Sequence, residues 1–311
     1  MPSFIKRIFH KKVTTEKPPS GHGVVSKLPS GFNHTKYKTE APVGRLASAR
    51  LHLETPQIFV GVAQSAGLQR DKNEDAVFTL TTTLVSNDKP VNFGLYIVAD
   101  GMGGHDYGEL ASNLAVRKLA AYVIESLFLP SISQVSDNPG MSIQEIMQVG
   151  IMEAHQAIRE QATGGGTTLT AALILGEQLT LAHVGDSRAY SIQPDGQLQL
   201  LTHDHTLVKR LEEIGQITPD EASHHPKRNL LYRALGQGEQ FEPDITNQQV
   251  VEGYQLMLCS DGLWGVIDEN EISDIIRLSR EPQVACQSLV NTANSAGGPD
   301  NISVIIIHLS D

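Results

Sequence analysis

Apolar and polar positions divide the chain into a first part without sustained periodicity and a long second part with it. Residues 1–55 are rich in Lys, Pro, Ser, Thr and Gly, a composition that predicts a disordered segment. From Gln57 onward, apolar positions recur with the spacings of strands and helices. The pattern therefore predicts a disordered basic tail over 1–55 and a folded domain over 56–311.

Short apolar or alternating runs predict the strands of this domain. They are Ile58–Ala63, Ala76–Leu84, Phe93–Ala99, Thr168–Leu175, Leu179–Val184, Arg188–Ile192, Leu198–Leu201, Ile245–Val251, Gln255–Cys259 and Ile302–His308. Helical spacing predicts helices at Glu109–Leu127, Ile143–Gln161, Glu269–Leu278 and Pro282–Ala293. Residues from about 205 to 240 are mixed, short and helical, and we interpret them as an inserted flap. Because strands and helices come in blocks, stacked antiparallel sheets covered by helices are favoured over a doubly wound parallel sheet.

Charge is distributed unevenly along the chain, whose net charge is −11. The first 50 residues hold 10 Lys and Arg against 2 Asp and Glu, whereas the rest holds 14 against 33. An acidic body repels phosphates, which argues against nucleic acid as a partner. Within residues 1–10, Phe and Ile alternate with Lys and Arg. This segment is either a solvated tail or a short helix that contacts a membrane surface or an acidic partner.

Three observations lead us to expect a cytoplasmic protein. No apolar run approaches the roughly 20 residues that span a bilayer, and the first residues lack the apolar stretch and cleavage site of a secretory signal. The two cysteines, Cys259 and Cys286, form no disulfide framework. A peripheral membrane location follows only if the basic tail binds a membrane.

Four short segments place an aspartate at or near the end of an apolar run, beside a glycine or asparagine. They are Arg70–Asp75, Asp100–Gly104, Ser260–Gly262 and Pro299–Asn301. A strand end holds a carboxylate rigidly, and several carboxylates that converged would repel one another unless hard cations lay between them. Oxygen ligands suit Mg²⁺ or Mn²⁺ rather than zinc. The sequence therefore predicts a divalent metal site.

Two interpretations of Arg70 stay open at this point. Near a metal site, a guanidinium can bind a phosphate through two hydrogen bonds. It can equally form an ordinary salt bridge with Glu74 or Asp71. The glycine-rich segment 164–168 is not a nucleotide-binding loop, because no lysine follows it.

Histidine and cysteine positions add no second site. The pairs His203–His205 and His224–His225 lack the i, i+4 spacing of helical metal ligands, so we expect surface or flap histidines. We expect His183, within a predicted strand, to be a hydrogen-bonded core residue. Cys259 also lies in a predicted buried strand, where a thiol is inert.

Seven segments, in this order along the chain, together resemble the signature of bacterial PP2C-type protein phosphatases, the metal-dependent PPM family. They are Arg70–Ala76, Ala99–Gly104, Gly166–Thr168, His183–Arg188, His203–His205, Ser260–Trp264 and Gly298–Asn301. The resemblance runs from about Gln57 to the last residue. It implies an α+β fold, a four-layer α-β-β-α sandwich in which two antiparallel sheets are flanked by helix pairs.

The resemblance also implies two metal ions and a set of oxygen ligands. The implied ligands are Asp75, Asp100, the carbonyl of Gly101, Asp261, Asp300 and, for a third and weaker ion shared with Asp261, Asp186. Asp100 would bridge the first two ions. Glu74 would contribute through water, and Arg70 would bind the phosphate.

The implied reaction is hydrolysis of phosphoserine and phosphothreonine in proteins by a metal-activated water, without a covalent intermediate. The implied partners are phosphoproteins, either a Ser/Thr kinase or its substrates. Met102 stands where some eukaryotic relatives have a histidine, so the proton donor stays open between His105 and a water. Two other functions stay open: a non-catalytic phosphoprotein-binding relative, which would have lost metal aspartates, and a hydrolase of small phosphoesters.

Overall fold

A computed structural model describes residues 57–86, 89–103, 107–133, 140–239 and 242–310. The predicted tail over 1–55 lies outside these residues. The strands are β1 Ile58–Ser65, β2 Ala76–Ser86, β3 Lys89–Ala99, β4 Gly101–Met102, β5 Gly166–Thr167, β6 Leu169–Leu175, β7 Gln178–Val184, β8 Arg188–Ile192, β9 Leu198–Leu200, β10 Asp244–Gln249, β11 Gln255–Cys259 and β12 Ile302–Leu309. The helices are α1 Tyr107–Val123, α2 Leu129–Ser133, α3 Ile143–Gln161, α4 Leu207–Glu213, α5 Pro219–Ser223, α6 Asp261–Trp264, α7 Glu269–Leu278 and α8 Pro282–Ser295.

Ten of the strands form two five-stranded sheets in which every pairing is antiparallel. Their orders are β1-β12-β11-β8-β9 and β10-β7-β6-β3-β2. β4 and β5 form a separate two-stranded ribbon. The predicted antiparallel sheets are confirmed, and the strand cores agree with the predicted ones.

Three apolar clusters show the layers. Residues of α1 and α3 pack on one face of β3 and β6, and residues of α7 and α8 pack on β8, β11 and β12. A third cluster joins the inner faces of the two sheets. The α+β class and the four-layer α-β-β-α order are therefore confirmed.

Strand β3 shows why the core strands have continuous apolar runs. Leu95 and Ile97 face the helices, while Tyr96 and Val98 face the other sheet. Side chains alternate between the two faces of a strand, and here both faces are covered. The strand is therefore buried from Asn92 to Ala99, and it leads rigidly to its end at Ala99.

The first long helix differs from its prediction. The predicted helix Glu109–Leu127 is α1, which continues into a π-helical turn at Ile124–Phe128 and then α2. Leu110 is 41% exposed, while Ala111 and Ala115 are fully buried. The buried stripe consists largely of small residues because α1 approaches β4 closely: a Cβ on Gly101 would overlap the carbonyl of Gly108 in the first turn.

The predicted flap contains two short helices, α4 and α5, each with a threonine N-cap. Isolated bridges join Thr206 to Leu231 and Leu235 to Thr167 of β5. The second bridge attaches the end of this segment beside Asp100. None of the described helices is long and apolar enough to span a membrane.

Candidate metal centre

The predicted carboxylates lie where strands end at one edge of the two sheets. Asp75 precedes β2 and Asp100 follows β3, and these strand ends are paired through Ala76 and Ala99. Asp261 begins α6, two residues after the end of β11, and Asp300 lies two residues before β12. A cleft of about 670 Å³ opens at this edge, and its wall includes every predicted site residue except Asp75: Arg70, Glu74, Asp100, Gly101, Asp186, Asp261 and Asp300.

Asp75 lies beneath the cleft and is 7% exposed. Its Oδ2 accepts hydrogen bonds from Ser260 Oγ at 2.8 Å and Ser303 Oγ at 2.7 Å. Its buried Oδ1 has no hydrogen-bond partner among the described residues. Burial raises the pKa of Asp75 to about 7, against the lowering effect of the two serines. One of its oxygens thus lacks the partner that a buried carboxylate needs.

Asp100 and Asp261 face each other in the cleft. Burial, together with the charges of Asp75 and Asp261, raises the pKa of Asp100 well above its usual range. Burial also raises the pKa of Asp261, and the charge of Asp300 adds to the effect although Arg70 opposes it. Carboxyl groups that face one another in a buried site resist losing all their protons. Within the described part of the chain, Asp261 Oδ1 is buried without a hydrogen-bond partner, like Asp75 Oδ1.

Asp186 lies in the loop between β7 and β8 and is 6% exposed. Burial, with the charges of Asp261 and Asp204, raises its pKa to about 8 although Arg188 lowers it. Trp264 Nε1 donates to its backbone carbonyl at 3.0 Å, which fixes the loop. The charge of Asp261 acts on Asp186, so the two residues predicted to share a third ion lie near each other.

These carboxylates offer only oxygen ligands, and two of their buried oxygens have no hydrogen-bond partner among residues that the structure describes. The residues present therefore fit Mg²⁺ or Mn²⁺. In the described part of the chain, no group of three or more His, Cys, Asp or Glu side chains has the arrangement of a complete metal-binding cluster. The ligand roles rest on convergence into one cleft rather than on preformed coordination, and they stay predictions.

Arg70 pairs with Asp300, a partner that was not considered from sequence. Its Nη2 donates to Asp300 Oδ2 at 2.7 Å, and its side chain is 54% exposed. The hydrogen bond to Asp300 raises the pKa of the guanidinium, although burial opposes this. Arg70 is therefore held at the cleft wall while much of its guanidinium faces solvent.

Gly101 and Glu74 occupy a crowded part of the site. A Cβ on Gly101 would overlap the backbone carbonyls of Gly108 and Glu74, so only glycine fits. Glu74 N donates to Asn301 Oδ1 at 2.7 Å, and its carbonyl accepts from Ser112 Oγ at 2.6 Å. The backbone near both residues is fixed by contacts from distant segments.

Sequence reasoning missed the residues that hold the carboxylates. Thr168 Oγ1 accepts from Asp100 N at 2.9 Å, while Thr167 Oγ1 donates to Asp100 O at 2.8 Å. Asn301 Nδ2 donates to the carbonyls of Ala66 and Lys72 at 2.9 and 2.8 Å. The only sequence signal for these residues was that Gly166–Thr168 and Gly298–Asn301 belong to the seven segments that resemble the family signature.

His183 and His205 are both buried. His183 is confirmed as a core residue: it hydrogen-bonds Thr170 Oγ1 and the carbonyl of His203, both at 3.0 Å, and burial lowers its pKa to about 4. His205 is not a surface residue, since it is 1% exposed and accepts from Gly185 N at 3.1 Å. Cys259 is buried as expected, and burial raises its pKa to about 12. His105 lies outside the described residues.

Comparisons with known proteins agree with this geometry. A family model described as protein phosphatase 2C matches residues 60–302. The serine/threonine phosphatase stp of Listeria welshimeri is 38% identical over 216 residues, which cover 70% of this chain and 84% of that one. The serine/threonine protein phosphatase PstP of Mycobacterium tuberculosis is 36% identical over 253 residues, 79% of this chain but 44% of the longer PstP.

A solved structure shows that the similarity extends to the fold. The catalytic domain of PstP in complex with two manganese ions superposes with a TM-score of 0.66 at 33% identity. The match covers 83% of this chain and all of that one.

Proposed function

The chain belongs to the protein phosphatase 2C family, and on that premise we propose how its cleft removes phosphate from phosphoserine and phosphothreonine in proteins. It is a metal-dependent protein-serine/threonine phosphatase of the bacterial type, and its cofactor is Mg²⁺ or Mn²⁺. One observation carries the assignment of the reaction to this cleft: carboxylates from five separate segments converge there, namely residues 70–75, Asp100, Asp186, Asp261 and Asp300.

We assign the metal ligands by the way these carboxylates face one another. Asp100 is the carboxylate whose pKa is raised by Asp75, Asp261 and Asp186 alike, which supports it as the bridge between two ions. Asp75 and the Gly101 carbonyl would then hold one ion, and Asp261 and Asp300 would hold the other. Asp186 and Asp261 would hold a third, and Glu74 would act through water.

When bound, the cations lower the pKa of a water molecule toward neutrality and neutralise phosphoryl charge, so hydrolysis needs no covalent intermediate. Arg70, prepositioned by Asp300, offers its guanidinium to the phosphate oxygens. The hydroxyl groups of Thr167 and Thr168 hydrogen-bond the backbone of Asp100. We call this pair the threonine clamp, and it orients the Asp100 carboxylate before substrate binds. Met102 lines the cleft but has no proton to donate.

We propose residues 56–311 as the phosphatase domain, with about 205–240 as its flap. The basic tail over 1–55 lies outside the described residues. The uneven charge supports its contact with an anionic membrane surface or an acidic partner. The enzyme then works in the cytoplasm on phosphoproteins, either a Ser/Thr kinase or its substrates.

Phosphate release from a phosphothreonine peptide tests the proposal. We expect turnover with Mn²⁺, no turnover with chelator, and a loss of about 10²-fold or more in Asp261→Asn, because a missing ligand weakens charge stabilisation. Asp71→Asn is the matched control, since Asp71 lines the same cleft without a ligand role. Calorimetric titration with Mn²⁺ should show weakened binding in Asp261→Asn alone.

Three results distinguish the alternatives. Turnover that persists under chelation contradicts the metal-dependent reaction. Phosphopeptide binding without turnover favours the non-catalytic relative, which the retained aspartates already disfavour. Hydrolysis of p-nitrophenyl phosphate without hydrolysis of any phosphopeptide favours a hydrolase of small phosphoesters.

A further inference from the structure

A second depression, of about 700 Å³, lies beside the catalytic cleft. Its lining comes from the flap, including Thr206, Val208 and Ala222, and from the segment that begins with α6. We call it the flap groove. It shares Asn229, Asp261 and Asp300 with the cleft, so the two depressions are continuous.

The floor of the flap groove is rigid. The guanidinium of Arg188 lies 3.5 Å from the ring centroid of Trp264. Arg188 Nη2 also donates to Asp204 Oδ2 at 2.7 Å, and Trp264 Nε1 is bound to the Asp186 carbonyl. A floor fixed by its own contacts loses little conformational freedom when a ligand binds.

The walls and rim of the groove differ in character. Leu200, which is 41% exposed, contributes apolar surface together with Val208 and Trp264. On the rim, Lys209 is held by Glu212 at 3.3 Å. Arg228 is exposed and forms no ion pair within 4.0 Å with any other described residue. It adjoins Asn229, the residue at the junction with the cleft.

We propose that the flap groove binds the polypeptide on one side of the phosphorylated residue, with an apolar side chain against Leu200 and Trp264 and an acidic side chain at Arg228. The inference rests on the proposed function, since it extends the same site. Continuity with the cleft identifies the occupant as the substrate's own chain, because a residue next to the phosphorylated one leaves the cleft past Asn229. The positive charge of Arg228 favours a substrate with an acidic side chain on that side of the phosphorylated residue.

The first test measures kcat/KM for short phosphothreonine peptides that carry one Asp, or Asn in its place, at successive positions on either side. We expect Asp to raise kcat/KM about threefold to fivefold, the scale of an exposed ion pair, and on one side only. In Arg228→Glu, kcat/KM for the Asp peptide divided by kcat/KM for the Asn peptide should fall below one. A peptide with Lys at that position should then be the preferred substrate. Lys227→Glu is the matched control, because it makes the same charge change at an adjacent exposed residue outside the groove.

The second test uses the apolar wall. Leu200→Asp should lower kcat/KM for a peptide with an apolar flanking residue about fivefold relative to one with Ser there. Leu278→Asp, at a 75% exposed position outside the groove, should not change that ratio. Circular dichroism confirms that each variant is folded.

Equal ratios in Arg228→Glu and Lys227→Glu, or an Asp effect on both sides of the phosphothreonine, would overturn the groove assignment while the phosphatase function stands. If the unaltered protein turns over p-nitrophenyl phosphate but no peptide, the proposed function fails and the groove assignment fails with it.

Discussion

Two groups of charged side chains lie at the same edge of the sheets, and they are built in opposite ways. In the first, Arg188 and Asp204 are mostly buried and satisfy each other through hydrogen bonds of 2.7 to 3.3 Å. In the second, the charges of Asp75 and Asp261 raise the pKa of Asp100, and Arg70 only partly offsets the burial of Asp261. Two buried oxygens of this group have no hydrogen-bond partner among the described residues.

The difference teaches how to separate structural from functional charge. A buried ion pair with matched partners is complete within the protein, and losing one partner leaves a buried charge behind. A group of like charges with raised pKa values is incomplete within the protein and indicates a ligand. Proximity alone does not decide, because Asp186, whose charge acts on Asp100 of the incomplete group, lies two residues from Arg188.

Breaking the complete pair should give the largest effect on folding. We expect Asp204→Ala to lower the free energy of unfolding by about 3–5 kcal/mol, since Arg188 is left buried without its partner. Urea unfolding in saturating Mn²⁺ measures this. Asp274→Asn, in the exposed pair with Arg277, serves as the control and should cost less than about 1 kcal/mol. If both variants lost a similar free energy of unfolding, the buried pair would be no more structural than the exposed one.

Removing a charge from the incomplete group should have the opposite effect on stability and a large effect on turnover. We expect Asp100→Asn to lower kcat about 10²-fold or more. Without metal, the same variant should unfold at a higher urea concentration than the unaltered protein, because asparagine does not have to take up a proton, or carry a buried charge, on folding. A less stable metal-free variant would mean that Asp100 is a structural carboxylate.

The clamp on Asp100 should show an intermediate effect. Thr168→Val removes the hydroxyl that accepts from Asp100 N and leaves that donor without its partner, at a cost of about 1–3 kcal/mol. We expect kcat to fall about tenfold as Asp100 loses its fixed position. Thr246→Val, at an exposed position of β10, is the control, and unchanged kcat in Thr168→Val would contradict the positioning role.

Replacing Arg70 should have the smallest effect on kcat and on folding. Because its guanidinium is half exposed, we expect Arg70→Ala to raise KM and the inhibition constant of inorganic phosphate about tenfold. kcat should change less. Arg277→Ala provides a distant control, and an unaltered KM would remove Arg70 from phosphate binding.

Sequence reasoning reached the layers of the fold because both sheets are covered, so core strands are apolar at nearly every position. It also selected the strand-end aspartates, since a carboxylate after a buried run is a local signal. It could not find Asp300 as the partner of Arg70, because 230 residues separate them. Thr168, Ser303 and His205 are ordinary residue types whose roles depend on tertiary contacts.

The most direct test of the central claim is the stability of chelated protein between pH 4 and pH 8, with Mn²⁺ then added at pH 8. In the folded state Asp75 and Asp186 keep their protons until about pH 7 and about pH 8, whereas the unfolded chain releases them near the ordinary Asp pKa of about 3.9. The free energy of unfolding should therefore fall as pH rises through this window, and Mn²⁺ should restore it by binding only the folded state. A chelated protein equally stable across the window, and unaffected by Mn²⁺ at pH 8, would contradict the account.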